Sequence, residues 1–216
     1  MYTVDLVRHT ESAWVEKADA MSVPVFGGRM LDVPLSQRGR KQARAFGEYQ
    51  SEQRPHPHAF FASTAVRTVE MHELAMEAYS PSRRLPLKQL ANFVELDWGE
   101  WEGQPRSILG RPQVQAQLRE RGLFFRPPGG ESFRDVRQRA LVGLVNILSS
   151  QPPGSRIVVF THKNVIKSLV SQALGWTVQQ TFEANVLLGS VTRLHYKNPD
   201  GFRFEFFNRS TPATPR

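Results

Sequence analysis

Five side chains spread along this sequence are of the types that phosphoryl chemistry requires. Arg8 and His9 follow one short apolar run, Arg67 follows a second, four residues after Ser63, Glu95 follows a third, and His162 follows a fourth. Arginine forks bind phosphate oxygens in pairs. An imidazole can attack phosphorus, and a carboxyl can pass a proton to a leaving oxygen or take one from water. A helix beginning after His162 would add backbone N–H groups to the same anion. Taken singly, each residue has a plainer reading. Arg8–His9 and Arg67 would be solvated surface groups, Glu95 a strand cap or an ion-pair partner, and His162 a hydrogen-bonded structural histidine. Their joint occurrence at four strand ends points to a phosphate site, because ligands of open α/β sheets bind beyond the carboxyl ends of the strands.

The elements that must position these groups are legible as alternating strands and helices. Tyr2 to Val7 is short, apolar and β-branched, a buried strand. Ser36 is placed to cap a helix carrying Ala43, Phe46 and Gly47. His58 to Ala62 reads as a strand, Val66 to Tyr79 as a helix, and Lys88 to Leu96 as containing a third strand. Ser132 begins a long helix to Leu148, with Asp135 completing a variant of the capping box. Arg156 to Phe160 is a continuous apolar strand suited to the middle of a sheet. Val165 to Leu174 is helical and stops at Gly175. Val191 to Tyr196 and Phe202 to Phe207 flank an Asp-Gly turn, the signature of a hairpin. The predicted architecture is an α/β three-layer sandwich with a central, mostly parallel sheet flanked by helices. Residues 1–216 form a single domain in this reading, with 98–130 as a helical and loop cap over the C-terminal strand ends and 210–216 as a frayed tail.

Composition narrows the classes further. The chain has 216 residues, 40% of them hydrophobic and 22% charged, which is ordinary globular usage. No apolar run approaches the roughly 18 residues of a membrane span, and no N-terminal leader is apparent, so no membrane partner is expected and the cytosol is the default compartment. The absence of cysteine excludes disulfides, thiolate metal sites and a cysteine nucleophile. A net charge of +8 favours anionic partners. The basic residues are dispersed without a like-charge block, so a small phosphorylated molecule is expected rather than nucleic acid. Oligomeric state stays open, a homodimer included.

The motifs as they stand resemble those of the histidine phosphatase superfamily, which includes the cofactor-dependent phosphoglycerate mutases. Leu6-Val7-Arg8-His9-Thr10-Glu11-Ser12 resembles its Arg-His-Gly-Glu signature. Asp32-Val33-Pro34-Leu35-Ser36 with Gly39, Gln42 and Ala43, then Ala62 to Thr68, Glu95 to Gly103, Pro128 to Ser132 and Val158 to His162 follow in the family's order. The resemblance spans about residues 2 to 208. It implies a phosphohistidine mechanism with no metal and no cofactor. His9 would be the nucleophile, Arg8, Arg67 and His162 would hold the phosphoryl oxygens, and Glu95 would serve as acid and then base. Thr10, Arg29 and Lys163 are further candidates for contact with the substrate.

Three positions depart from the family pattern: Thr10 stands in place of Gly, Val15 in place of a phosphate-touching Asn, and Lys163 in place of Gly. The Lys163 ammonium either binds a second anionic group of the substrate or is solvated. His56-Pro57-His58 is read as a loop rather than a metal pair. Gly27-Gly28 and Gly129-Gly130 are read as turns, and Trp98 with Trp101 as cap packing. The Trp-Glu-Gly form of the Glu95 motif resembles the phosphatase branch. The expected function is therefore a histidine acid-type phosphatase, a phosphoric monoester hydrolase. A phosphoglycerate mutase and a phospho-ligand-binding protein without turnover are the alternatives.

Overall fold

The fold is described from a computed structural model covering residues 1–198 and 200–215. Its centre is a six-stranded sheet of order β3-β2-β4-β1-β5-β6, built from β1 (Tyr2–Arg8), β2 (Ala59–Ala62), β3 (Leu87–Gln89), β4 (Arg156–Thr161), β5 (Val191–Lys197) and β6 (Gly201–Arg209). The β1–β4, β4–β2 and β2–β3 pairings are parallel, whereas β5 and β6 run antiparallel at one edge. The mostly parallel α/β sandwich read from the sequence is the architecture observed.

Strand alternation explains the layers. In β4, Ile157 and Val159 enter a core shared with Leu144 and Ile147 of α5 (Phe133–Ser149) and with Ile166 and Val170 of α6 (Lys163–Ala173). Val158 and Phe160 enter a second core with Ala43 and Phe46 of α2 (Gln37–Glu52) and with Met71 and Ala75 of α3 (Val66–Met76). Covered on both faces, β4 is buried over its whole length, as its unbroken apolar run anticipates. The helix signals operate as read. Ser36 Oγ accepts from the Gly39 amide at 3.0 Å, Ser132 and Asp135 form a reciprocal capping box, and Gly175 takes a left-handed φ of +62° just past α6.

One charged group lies deep inside. Asp5 in β1 accepts from Arg156 Nη2 at 2.7 Å and from Arg193 Nε at 2.6 Å, tying β1 to β4 and β5. Asp5 and Arg156 are 1% and 3% exposed, so that pair is desolvated and each of its charges depends on the other, while Arg193 stays partly open to solvent.

Three expectations need correction. The strand in Lys88–Leu96 is only Leu87–Gln89, and a 3₁₀ turn over Ala91–Phe93 separates it from Glu95. Residues 210–215 are not frayed. Ala213 is fully buried beside Gly189, and Thr211 Oγ1 donates to the Gly189 carbonyl at 2.8 Å; Arg216 lies outside the described residues. Two helices had no counterpart in the sequence reading, α1 (Ala13–Asp19) and α7 (Val178–Glu183), whereas α4 (Pro112–Arg121) falls in the region 98–130 read as helical and loop. The first is only seven residues long and buries none of them. Region 98–130 contains no strand, as expected, and carries α4 among short 3₁₀ turns.

Candidate active site

The register of β1 against β4 sets the site. Arg8 pairs with Thr161, so the residues that follow, His9 and His162, leave the sheet side by side. The His9 amide donates to the Thr161 carbonyl at 3.0 Å, and the two imidazole centroids are 5.2 Å apart.

A cavity of about 420 Å³ opens at this end of the sheet, bordered by Arg8, His9, Arg67, Glu95, Arg106 and Lys163. His9 Nδ1–H donates to the Thr10 carbonyl at 2.6 Å. That contact fixes the tautomer and leaves the Nε2 lone pair free. Burial, then Arg67 and Arg8, hold the His9 pKa well below 6.5, so the ring is neutral at neutral pH. Thr161 Oγ1 donates to the Phe93 carbonyl at 2.9 Å, bringing the Glu95 segment against the end of β4.

Arg8 is anchored by Nη1 to the Val186 carbonyl, and its buried Nε has no partner among the described residues. Its pKa falls to about 10, chiefly through burial, and it remains a cation at neutral pH. Arg67 is 4% exposed, and its guanidinium donates to Met30 O at 2.7 Å, Arg29 O at 3.0 Å and His162 Nδ1 at 3.2 Å. Two guanidiniums bordering one cavity suit an anion with several oxygens.

Glu95 sits at the N-terminus of α6. Its Oε1 accepts from the Leu96 amide at 2.7 Å and from the Asn164 amide at 3.2 Å. Backbone donors of this kind fix the carboxylate while one side of it borders the cavity.

Not every predicted site residue reaches the cavity. His162 is fully buried and does not border it. With Nδ1 accepting from Arg67, its Nε2–H donates to Ser63 Oγ at 2.7 Å, and Ser63 Oγ donates in turn to Thr68 Oγ1 at 2.9 Å. His162 therefore positions Arg67 in this arrangement rather than touching an oxygen itself. Burial, Arg67 and His9 hold its pKa well below 6.5. Thr10 is also buried, its Oγ1 donating to Gly39 O at 2.8 Å. This ties the loop after β1 to the start of α2 and buries the hydroxyl away from the cavity. Arg29 turns away to Glu131 at 3.0 Å and Asp97 at 3.6 Å, contributing its carbonyl to Arg67 instead. Lys163 does border the cavity.

Sequence reasoning placed Val15 near the phosphate but missed most of the wall around it. Trp14, Val15 and Ala18 come from α1, Ser12 caps it, and Met21 and Val25 come from the loop after it. Arg106 comes from the 98–130 region, placed by its amide donating to Pro24 O at 2.8 Å and by its guanidinium lying over Phe26 at 5.5 Å. An amphipathic period cannot reveal either segment, because both are held by loop contacts. His56-Pro57-His58 lies in the loop before β2, as read, and His58 Nδ1 accepts from the Arg156 amide at 3.1 Å. Trp98 and Trp101 stack at 6.5 Å within an aromatic group with Phe26, Phe125 and Phe133, although Trp98 also borders the cavity.

A family model described as histidine phosphatase superfamily (branch 1) matches residues 4–210. The chain belongs to that superfamily. Its relatives in the histidine phosphatase superfamily carry two kinds of name. A 2,3-bisphosphoglycerate-dependent phosphoglycerate mutase of Methylobacterium radiotolerans is 31% identical over 189 residues, covering 85% of this chain and 84% of that protein. Among solved structures, a mycobacterial glucosyl-3-phosphoglycerate phosphatase superposes with a TM-score of 0.76 at 22% identity, covering 96% of this chain and 99% of that one. A putative alpha-ribazole-5'-P phosphatase of Escherichia coli gives 0.72 at 19% identity, covering 96% of each. An enzyme is what these relatives support, and the fold of this histidine phosphatase superfamily chain is theirs. No helix among the described residues is long and apolar enough to cross a membrane.

Proposed function

We propose that the protein is a metal-independent phosphomonoesterase that works through a phosphohistidine on a small phosphorylated metabolite. The observation that carries this reading is a single cavity bordered by a neutral His9 with a free Nε2, by the Arg8 and Arg67 guanidiniums, and by the Glu95 carboxylate. In the first step His9 Nε2 bonds to phosphorus while the ester P–O bond breaks. Glu95 acts as the general acid that passes a proton to the leaving oxygen. Arg8 and Arg67 stabilise the charge that spreads over the non-bridging oxygens, which is where most phosphoryl-transfer catalysis lies. In the second step Glu95 takes a proton from water, the water oxygen bonds to phosphorus, and the N–P bond breaks to release phosphate. A cavity of about 420 Å³ has room for a small ester and for that water.

The 31% identity to a named mutase favours a second reading, phosphoryl transfer to a second acceptor. Incubation with an aryl phosphate separates the two. Brisk phosphate release that survives EDTA and is lost in His9→Ala supports the monoesterase. Turnover only in the presence of 2,3-bisphosphoglycerate overturns it in favour of the mutase.

A further inference from the structure

The cationic groups around the cavity exceed what a single phosphate ester uses. Arg8 and Arg67 stand beside His9, and Lys163 and Arg106 border the same space without a role in the steps above. Neither Lys163 nor Arg106 forms an ion pair among the described residues. The Lys163 Nζ has one long contact, 3.5 Å to Asn185 Oδ1. Arg106 packs its guanidinium against Phe26, which gives it no counter-charge. The carboxylates bordering the cavity are Glu95, which the chemistry occupies, and Asp19 on α1.

We propose that the substrate carries a second anionic group, a carboxylate or a further phosphate, which Lys163 and Arg106 bind together. The inference rests on the phosphomonoesterase reading and names its substrate class. Lys163, the first residue of α6, borders the same cavity as His9 and Glu95, which selects a short molecule with its two charges close together. The wall of Trp14, Val15, Met21 and Val25 accepts the uncharged body between and beside them. A half-buried ammonium with two guanidinium neighbours and no carboxylate partner is an unfavourable arrangement that an arriving anion relieves. The titration of Lys163 agrees: burial, Arg8 and Arg106 lower its pKa to about 8, with Glu95 alone opposing them. Specificity of this kind comes from a polar contact that the wrong substrate leaves unpaired.

The test compares three esters that differ only at the far end: propyl phosphate, 3-(phosphonooxy)propanoate and propane-1,3-diyl bisphosphate. At pH 7, kcat/KM for at least one anionic-ended ester exceeds that for propyl phosphate by about tenfold or more, the size of one charge-assisted hydrogen bond. Which of the two is preferred identifies the second group. Lys163→Ala brings that ratio close to one, and Lys163→Arg keeps most of it. Equal turnover of all three esters, or a ratio that Lys163→Ala leaves in place, overturns the proposal. If no ester is turned over, the monoesterase reading is lost, and the same ratios are then read as calorimetric affinities. A preference for an anionic end that depends on Lys163 sustains the inference, and its absence ends it.

Discussion

Replacing Arg67 by alanine tests the electrostatic core of the mechanism. The guanidinium is 4% exposed, so its charge acts on the phosphoryl oxygens with little screening. A unit charge about 4 Å from a developing negative charge contributes about 4 kcal/mol at an effective dielectric of ~20. Loss of one preorganised donor in other enzymes costs about 3 to 4 kcal/mol. Both figures correspond to a fall in kcat of roughly 10²- to 10³-fold. A second effect accompanies the first. Arg67 also holds the carbonyls of Arg29 and Met30, and Met30 sits at a left-handed φ of 31° that a non-glycine residue adopts only under constraint. Arg67→Ala therefore also loosens the loop that leads from the cavity wall to α2, raising KM. Arg67→Lys keeps the charge and loses the fork, and its rate falls between the two. The assay is steady-state hydrolysis of an aryl phosphate at pH 7, alongside the thermal midpoint of each variant. A folded Arg67→Ala protein that loses less than tenfold in kcat/KM would show that the guanidinium does not face the transferring group.

Glu95→Gln removes the transferable proton, so alkyl phosphates should lose about 10²- to 10⁴-fold in rate and aryl phosphates much less; equal losses on both contradict the assigned role. Acidification should destabilise the protein before its carboxylates titrate. His9 and His162 have folded pKa values well below 6.5 and His72 is lowered to about 4, chiefly by burial. Below pH 6.5 the unfolded chain binds protons that the folded chain refuses, so stability is full above that pH and declines beneath it. A thermal midpoint that holds steady or rises from pH 7.5 to 5.5 contradicts that sign. Asp5→Ala leaves the buried Arg156 without its carboxylate and should cost about 3 to 5 kcal/mol in urea unfolding; a change below about 1 kcal/mol would mean that water enters to replace it.

What the sequence made legible follows from which forces are local. Each parallel strand in the middle of the sheet is an apolar run covered on both faces, so β1, β2 and β4 could be read directly, and Arg8, His9 and Arg67 follow at their ends. Caps are written in three or four adjacent residues, so Ser36 and Ser132 could be located too. Glu95 could be named but not placed, because a 3₁₀ turn and the Asn164 amide, rather than a strand end, position it. His162 was expected on the cavity wall, yet its partners Ser63 and Arg67 lie far away in sequence and hold it behind Arg67. The wall formed by α1 and Arg106 depends on contacts such as Phe26 with Trp98 and Trp101, which no local periodicity encodes.

The burial of Ala213 has a bearing on when the protein becomes competent. Gly189 donates its amide to the Arg8 carbonyl at 3.1 Å, and its own carbonyl accepts from Thr211 at 2.8 Å. The segment that steadies Arg8 is thus itself propped from behind by residues translated after every strand of the sheet. During synthesis, a nascent chain can assemble both layers of helices and still lack the finished cavity wall at Arg8. Fusions or proteolytic trimming at this end should therefore be judged by turnover as well as by yield, since they act two hydrogen bonds away from Arg8.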